Sequence, residues 1–457
     1  VMLLSKPTNF SPDAMANFDL LPDEVDTVDA DPADWPAAFA ALAADADVVV
    51  DAIFGTGINP PLEGGYPDLI RAVNDAGLPC VAVDIPSGVS GNDGKVDPVA
   101  VAADLTVTVG LPKLGLLLAP GRDFAGEVEV VDIGFAEEVC DKHTGPWHWL
   151  RRQDYLKLLP TRRSDVHKYN CGKSLIVAGS RDFGGAAHLA GMGALRSGAG
   201  LVTMAVPERL ETATRVILPE AITRVVAETS AGTIAPLPED WRDALLEGQD
   251  ALTLGPGLGS DPATDGWVVA LLADLDMPVV VDADALNAFS RAGAPVVFGS
   301  DQVILTPHAG ELARMTGLSA DEVHSRRLHL AAELAADWKA VVLLKGSPTV
   351  IGTPDGRTFI NPAGDDALAR GGSGDVLAGL LGGLLAQGMP AVEAALLGSY
   401  IHGKAGALAA RGLSNRSVLV REVAAAIGPV FEEMEKESSA TAELRERIWP
   451  LDNDGQD

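Results

Sequence analysis

Residues 369–385 read ARGGSGDVLAGLLGGLL, a glycine-rich turn that runs straight into an apolar helix with Asp375 at its mouth. Glycines let successive backbone N–H groups converge, and a helix start adds partial positive charge, so such a turn can hold phosphate oxygens. A carboxylate beside bound phosphate is placed to take a proton from a hydroxyl that attacks the terminal phosphoryl group. Positioning and charge neutralisation then supply most of the rate. Asp375 is therefore the candidate general base; a plain N-cap would not need the glycines that precede it. Lys345, Arg370 and the run KGSPT (345–349) are candidates for holding the nucleotide, because Lys345 follows an apolar strand and its amine emerges at the strand's carboxyl end.

Three further turns share that placement. TPHAGE (306–311) offers His308 in a turn and Glu311 at a predicted helix start. GPGLG (255–259) carries no side-chain chemistry, but its glycines let a flat ligand approach the backbone. DADALN (282–287) places Asp282 and Asp284 after an apolar strand; either approaches a bound metal through water, or Asp284 caps a helix. Two matches fail. GKS (172–174) has His167 where a P-loop needs its upstream glycine and is followed by a strand pattern, and FGTGINPP (54–61) lacks the third glycine of a dinucleotide fingerprint.

The elements that position these turns follow from a repeating grammar of short β-branched runs, each ending in Gly, Pro, Asp or Ser before a helical stretch. In the first region the runs are 47–57, 80–88, 104–110 and 126–134. In the second they are 174–180, 201–206, 251–259, 278–287, 303–311 and 341–346. This is the βα alternation of a parallel sheet, whose ligands sit outside the carboxyl ends of the strands. TPDGRTF (353–359) reads instead as a hairpin. A stretch with Pro146, Trp147 and Trp149 breaks the pattern, so the domain boundary is expected between Phe135 and Leu150, giving domains 1–145 and 146–457. From Glu432 onward a surface helix and a frayed tail are expected.

Composition agrees with an α/β class. Apolar residues make up 47% of the 457 residues and aromatics only 5%, so the cores are built from Ala, Val, Leu and Ile. The 34 basic and 64 acidic residues leave a net charge of -30, spread along the chain, which repels nucleic acid and anionic membranes. An acidic surface adapted to high salt is the expectation, and the chain is read as halophilic. Three scattered cysteines indicate neither a disulfide framework nor a zinc cluster. The most apolar run, Val376–Leu385, is too short to cross a membrane, and no secretory signal opens the chain, so a cytoplasmic location is expected. A homo-oligomer is expected. Val1 in place of Met suggests sequence upstream.

HKYNCGKSLIVAGS, GGAAHLAGMGALRSGAGLVT, GPGLG, VVVDADALN, TPHAGE, LLKGSPTVI and GGSGDVLAG, in this order and over about 155–425, resemble the NAD(P)H-hydrate dehydratase family. The resemblance implies a ribokinase-like α/β domain and a hydro-lyase reaction: ADP or ATP, with Mg²⁺, phosphorylates the hydroxyl of NAD(P)H hydrate in its S-epimer, and phosphate leaves to restore the ring. Carried over by position, Asp375 resembles the catalytic Asp. Ala186, Gly257, Gly259, His308 and Asp375 resemble contacts to the hydrate, and Lys345, Gly346, Ser347, Pro348, Thr349 and Gly374 contacts to the nucleotide. One stretch departs, DDALAR (365–370) standing where the family has an Asn-Pro-Gly-Met-Ala-Thr run, so nucleotide affinity and donor preference are expected to differ.

The first region, through DAIFGTGINPPLEGGY, AVDIPSGVSGNDG and PGRDFAGEVEVVDIG, resembles the NAD(P)H-hydrate epimerase, an isomerase that commonly precedes the dehydratase. This implies an incomplete Rossmann-like three-layer domain. Asp51 and Ser87 resemble potassium ligands, Gly55, Thr56, Gly57, Ile58, Asn59, Pro60 and Pro61 a phosphate-side loop, and Asp84 a substrate contact and catalytic group. The family's Asn-Asn-Gly-Gly-Asp loop would lie upstream of Val1, so weak or absent epimerase activity is expected. The competing readings are a vitamin-precursor kinase of the same fold and a nucleotide-binding regulatory module without catalysis.

Overall fold

A computed structural model of the protein describes residues 1–57, 61–136, 138–140, 145–160, 167–364 and 366–448. The chain divides into two compact units, Val1–Thr144 and Gly145–Asp457.

In the first unit β1 (Met2–Leu3) and β2 (Val28–Asp29) pair in parallel. A separate four-stranded parallel sheet runs β3 (Val49–Asp51), β4 (Cys80–Val83), β5 (Leu105–Val109), β6 (Glu127–Val131) in chain order. One face is covered: Leu69, Ile70 and Val73 of the amphipathic helix Tyr66–Asp75 bury against Cys80, with Trp35 and Leu62 in the same cluster. The opposite face keeps Val50, Val83, Val109 and Val131 exposed.

The second unit is built on a ten-stranded sheet. Its strands are β7 (Trp147–Trp149), β8 (Lys173–Val177), β9 (Leu201–Pro207), β10 (Ile222–Val226), β11 (Ala251–Leu254), β12 (Val279–Val281), β13 (Val303–Leu305), β14 (Val341–Leu344), β15 (Thr349–Gly352) and β16 (Thr358–Asn361). Their spatial order is β10-β9-β8-β11-β12-β13-β14-β15-β16-β7, parallel except where β15 pairs with β14 and with β16. The 353–359 turn is therefore a hairpin. The tryptophan stretch read as a break is an edge strand instead, Trp147 to Trp149 pairing in parallel with Thr358 to Ile360. β10 is also an edge strand that the β-branched runs did not reveal.

The central strands are buried at every residue because helices cover both faces, as all-parallel sheets require. Alternation splits their side chains between two layers. Val280, Ile304, Val341 and Leu343 face one cluster, and Leu252, Leu254, Val279, Val281, Val303, Leu305 and Val342 face the other. The helices that matter for function are α1 (Gly184–Arg196), α2 (Asp284–Ala292), α3 (Ala309–Thr316), α4 (Ala320–Trp338), α5 (Ser373–Ala386), α6 (Ala391–Ala410) and α7 (Val420–Ile448). Among the described residues no helix is long and apolar enough to cross a membrane. The apolar run of α5 is instead core, from Val376 to Ala386 without interruption.

α5 and α1 touch backbone to backbone. A Cβ at Gly379 would overlap the carbonyl oxygen of Ala190, and one at Gly193 that of Val376. Alanine normally favours a helix over glycine by about 1 kcal/mol. Here the overlap is with main chain that cannot rotate away, so Gly379→Ala is expected to destabilise by about 1–3 kcal/mol or more, read as a lower urea midpoint.

Candidate active site

The turns GPGLG, DADALN, TPHAGE and KGSPT leave the carboxyl ends of four adjacent parallel strands, β11 to β14, while the glycine turn before Asp375 comes later, after a short 3-10 helix that follows β16. The sheet's chain order reverses at β8 and β11, where the loop after β8 meets the loop after β11. Gly179 N–H donates to the Pro256 carbonyl at 2.8 Å, and Ser180 Oγ donates to the Gly257 carbonyl at 2.8 Å. Gly257 has φ +62°, and a Cβ there would stand 2.8 Å from Cβ of Ala186 and 2.7 Å from the Phe183 carbonyl oxygen. Two predicted hydrate contacts, Ala186 and Gly257, are thus neighbours. Gly259 is tied in because its N–H donates to Asp284 Oδ2 at 2.9 Å.

After β12 the chain passes through Ala283 at φ +49°, a conformation an L side chain rarely adopts, and this strain separates two carboxylates. Asp282 is 1% exposed; its Oδ1 accepts from Thr306 Oγ1 at 2.7 Å and from Lys345 Nζ at 2.8 Å. Asp284 is the first residue of α2 and lies 3.8 Å from Arg291, but it does not cap that helix: the cap position is Ala283, and the Asp284 carboxylate accepts from Gly259 N–H instead.

After β13, His308 caps α3 with its side chain: Nδ1 accepts from the N–H groups of Gly310 at 3.0 Å and Glu311 at 3.2 Å. That fixes the neutral tautomer with the proton on Nε2. Glu311 completes the box by accepting from His308 N–H at 2.8 Å. Burial lowers the His308 pKa, against the pull of Glu311.

Lys345 does not stand free for a ligand. Besides Asp282, its amine lies 3.7 Å from Glu311 Oε2. Burial opposes the charge, but Asp282, Glu311 and Asp375 hold its pKa above the ordinary lysine value. The amine also stands over the mouth of α5, 3.3 Å from where a Cβ would sit on Gly374. Gly372, at φ +98°, makes the turn into that helix.

Asp375 completes the cluster. Burial first, then the Asp282 carboxylate, push its pKa up to about 7, with Lys345 pulling the other way. Three carboxylates, Asp282, Glu311 and Asp375, therefore meet around one amine, with Asp284 close enough to Asp375 to help raise its pKa. Asp375 is balanced between its two forms near neutrality, as a base acting on a hydroxyl requires. Behind it His402 of α6 lies against the Ser373 backbone, its pKa lowered to about 4 by burial. Sequence reasoning missed the roles of Thr306 and Ser180, which lie inside quoted motifs without being singled out, and of His402, which sits in the middle of α6 with no motif around it. Arg370 donates through Nη2 to the Asn415 carbonyl at 3.0 Å.

The first unit holds its own polar cluster. Asp51, buried at the end of β3, accepts at Oδ2 from Ser87 N–H and at Oδ1 from Ser87 Oγ, both at 2.7 Å. Burial raises its pKa. Asp84, at φ +71°, accepts from Lys113 Nζ and, at 3.1 Å, from Val109 N–H. Burial works against its charge, but Lys113 holds the carboxyl below its usual range. Lys113 was not found from sequence. Gly55 lies next to Asp84, since a Cβ there would be 3.6 Å from Asp84 Oδ2. Thr56, Gly57 and Pro61 are exposed, while Ile58, Asn59 and Pro60 lie outside the described residues. Among the described residues no group of three or more His, Cys, Asp or Glu side chains is arranged to hold a metal.

Comparison with known proteins places both units. Residues 174–428 match the family model described as NAD(P)H-hydrate dehydratase, and residues 1–115 that described as YjeF-related protein N-terminus. The chain is 41% identical over 400 residues to the bifunctional NAD(P)H-hydrate repair enzyme Nnr of Moorella thermoacetica, covering 86% of this chain and 74% of that protein. Its structure is similar to that of the ADP/ATP-dependent NAD(P)H-hydrate dehydratase of Bacillus subtilis co-crystallised with ATP and Mg²⁺. The TM-score there is 0.54 at 34% identity, over 62% of this chain and 97% of that one. A ribokinase-like superfamily protein of Enterococcus faecalis aligns with a TM-score of 0.56 at 25% identity, over 64% of this chain and 98% of that one. With turns, sheet order and carboxylate cluster all in the matched region, the chain belongs to the NAD(P)H-hydrate dehydratase family.

Proposed function

We propose that this protein dehydrates the S-epimer of NAD(P)H hydrate at the expense of ADP or ATP, with Asp375 as the base. The observation that carries the reading is the Asp375 carboxyl at the mouth of α5, raised to about 7 beside the Lys345 amine. In its ionised form it takes the proton of the hydrate hydroxyl. The hydroxyl oxygen then attacks the terminal phosphoryl group and displaces AMP or ADP; phosphate, a far better leaving group than hydroxide, departs with its C–O electron pair while the adjacent ring carbon gives up a proton, and the C–H pair re-forms the ring double bond. Ala186, Gly257, Gly259 and His308 line the hydrate side, with the His308 Nε2–H as donor. Lys345, Gly346, Ser347, Pro348, Thr349 and Gly374 line the nucleotide side. Of the two carboxylates after β12, Asp282 is taken up by Lys345, so the hard oxygens of Asp284 are the ones that would approach Mg²⁺ brought with the nucleotide.

In the first unit we propose that Asp51 and Ser87 offer oxygen ligands to K⁺, since Asp51 is buried with no cationic side chain among its hydrogen-bond partners. The absence of a disulfide at Cys80, Cys140 and Cys171 suits a reducing cytoplasm. The net charge of -30 supports a protein whose stability rises with potassium chloride.

Purified hydrate mixed with the protein, Mg²⁺ and each nucleotide tests the main reading. Return of dihydronicotinamide absorbance with equimolar free phosphate is expected. A stable phosphorylated alcohol would identify a small-molecule kinase instead, and no turnover with intact nucleotide binding a regulatory module.

A further inference from the structure

The carboxylate cluster poses a charge problem that Lys345 does not solve. Its amine is committed to Asp282 and Glu311, so a nucleotide phosphate chain entering beside Asp284 and Asp375 meets net negative charge. Mg²⁺ brought with the nucleotide offsets part of that charge, and a side-chain cation stands on α4. Arg327 has a buried Nε without a hydrogen-bond partner, and no carboxylate pairs with it among the described residues. In a chain where acids outnumber bases 64 to 34, such a cation is conspicuous; its neighbour Arg326 pairs with Glu333 at 2.9 Å.

The position of Arg327 is fixed by the packing of α4. Leu328 accepts through its carbonyl from Thr358 Oγ1 at 3.1 Å, and the Ala331 carbonyl presses on Gly352 at the end of β15. Residues four apart share a helix face, so Arg327 stands one turn from Ala331, toward the start of that strand. There its guanidinium lies on Gly346: a Cβ at that glycine would be 2.9 Å from Cζ and from Nη1, and closer still to Nη2. A glycine is needed so that the guanidinium can lie against the loop. A second arginine with a buried, unpartnered Nε, Arg370, immediately precedes the Gly371–Gly372 turn.

We propose that Arg327 binds the phosphate chain of the nucleotide held by the loop Lys345–Thr349, and that its anionic partner is supplied by that ligand. The assignment rests on the nucleotide reading of this loop. A guanidinium offers forked donors that match phosphate oxygens, whereas it gives a neutral nucleoside little.

Calorimetric titration of the full chain with ADP, ATP and adenosine, in the presence of Mg²⁺, tests the proposal. Arg327→Gln is expected to weaken ADP and ATP by about 10- to 100-fold, the range of a charged hydrogen-bonded contact, and to leave adenosine unchanged. Arg327→Lys, which keeps the charge without the fork, should fall between the two and serves the same comparison if the glutamine variant does not fold. Unchanged ADP affinity, or equal weakening of ADP and adenosine, would overturn the proposal. Failure of the unmodified protein to bind ADP would instead remove the nucleotide reading itself.

Discussion

Asp375→Asn is expected to lower kcat by about 10²- to 10⁴-fold, the usual contribution of a positioned general base, while ADP and ATP binding persist. The pH dependence gives the same group a second signature. With its pKa raised to about 7, the ionised base is scarce below neutrality, so turnover of the unmodified protein should climb tenfold per pH unit up to about 7 and then level. Stability should move oppositely. The folded state holds the Asp375 proton to higher pH than the unfolded chain does, so between about 4 and 7 rising pH removes stability. The asparagine variant escapes that loss and should melt at or above the temperature of the unmodified protein at pH 8. A folded variant that kept its turnover would remove Asp375 from the mechanism.

Lys345→Met should be costly for a different reason. It strands Asp282, 1% exposed, with Thr306 as its remaining side-chain donor, and an orphaned buried charge of this kind costs about 3–5 kcal/mol. Adding Asp282→Asn removes the stranded charge, so the double variant should recover much of the stability without recovering activity. The single variant also loses the cation that pulls the Asp375 pKa down, so any residual activity should titrate above 7. Urea unfolding and a pH–rate profile read the two effects separately. Were Lys345 only a nucleotide contact, KM would rise while stability and the pH profile stayed put.

The pattern of what could be read from sequence has a physical basis. Central strands such as Val279–Val281 and Val341–Leu344 are continuous apolar runs because both faces are covered, and they stand out. Edge strands do not: Ile222–Val226 alternates exposed and half-buried residues until Val226, and Trp147–Trp149 has only half-buried tryptophans around an exposed His148. Asp375 was legible because the turn before it demands glycine. The partner of Lys345 was not, since Asp282 lies 63 residues earlier, just past the end of another strand. Arg327 was hidden in a charged helix beside Arg326, where one arginine looks like the next until Gly346 is seen beneath it.

The backbone contact between α1 and α5 bears on how the site can move. Ala186 rides on one of these helices and Asp375 on the other, and glycine-to-carbonyl seams at Gly193 and Gly379 leave no side chain to act as lubricant. Sliding one past the other would drive main-chain atoms into each other, so the hydrate-side wall and the base travel as one stiff spar. Whatever closes over the reactants has to swing toward that spar from the opposite bank, where the hairpin and the helix bearing Arg327 stand.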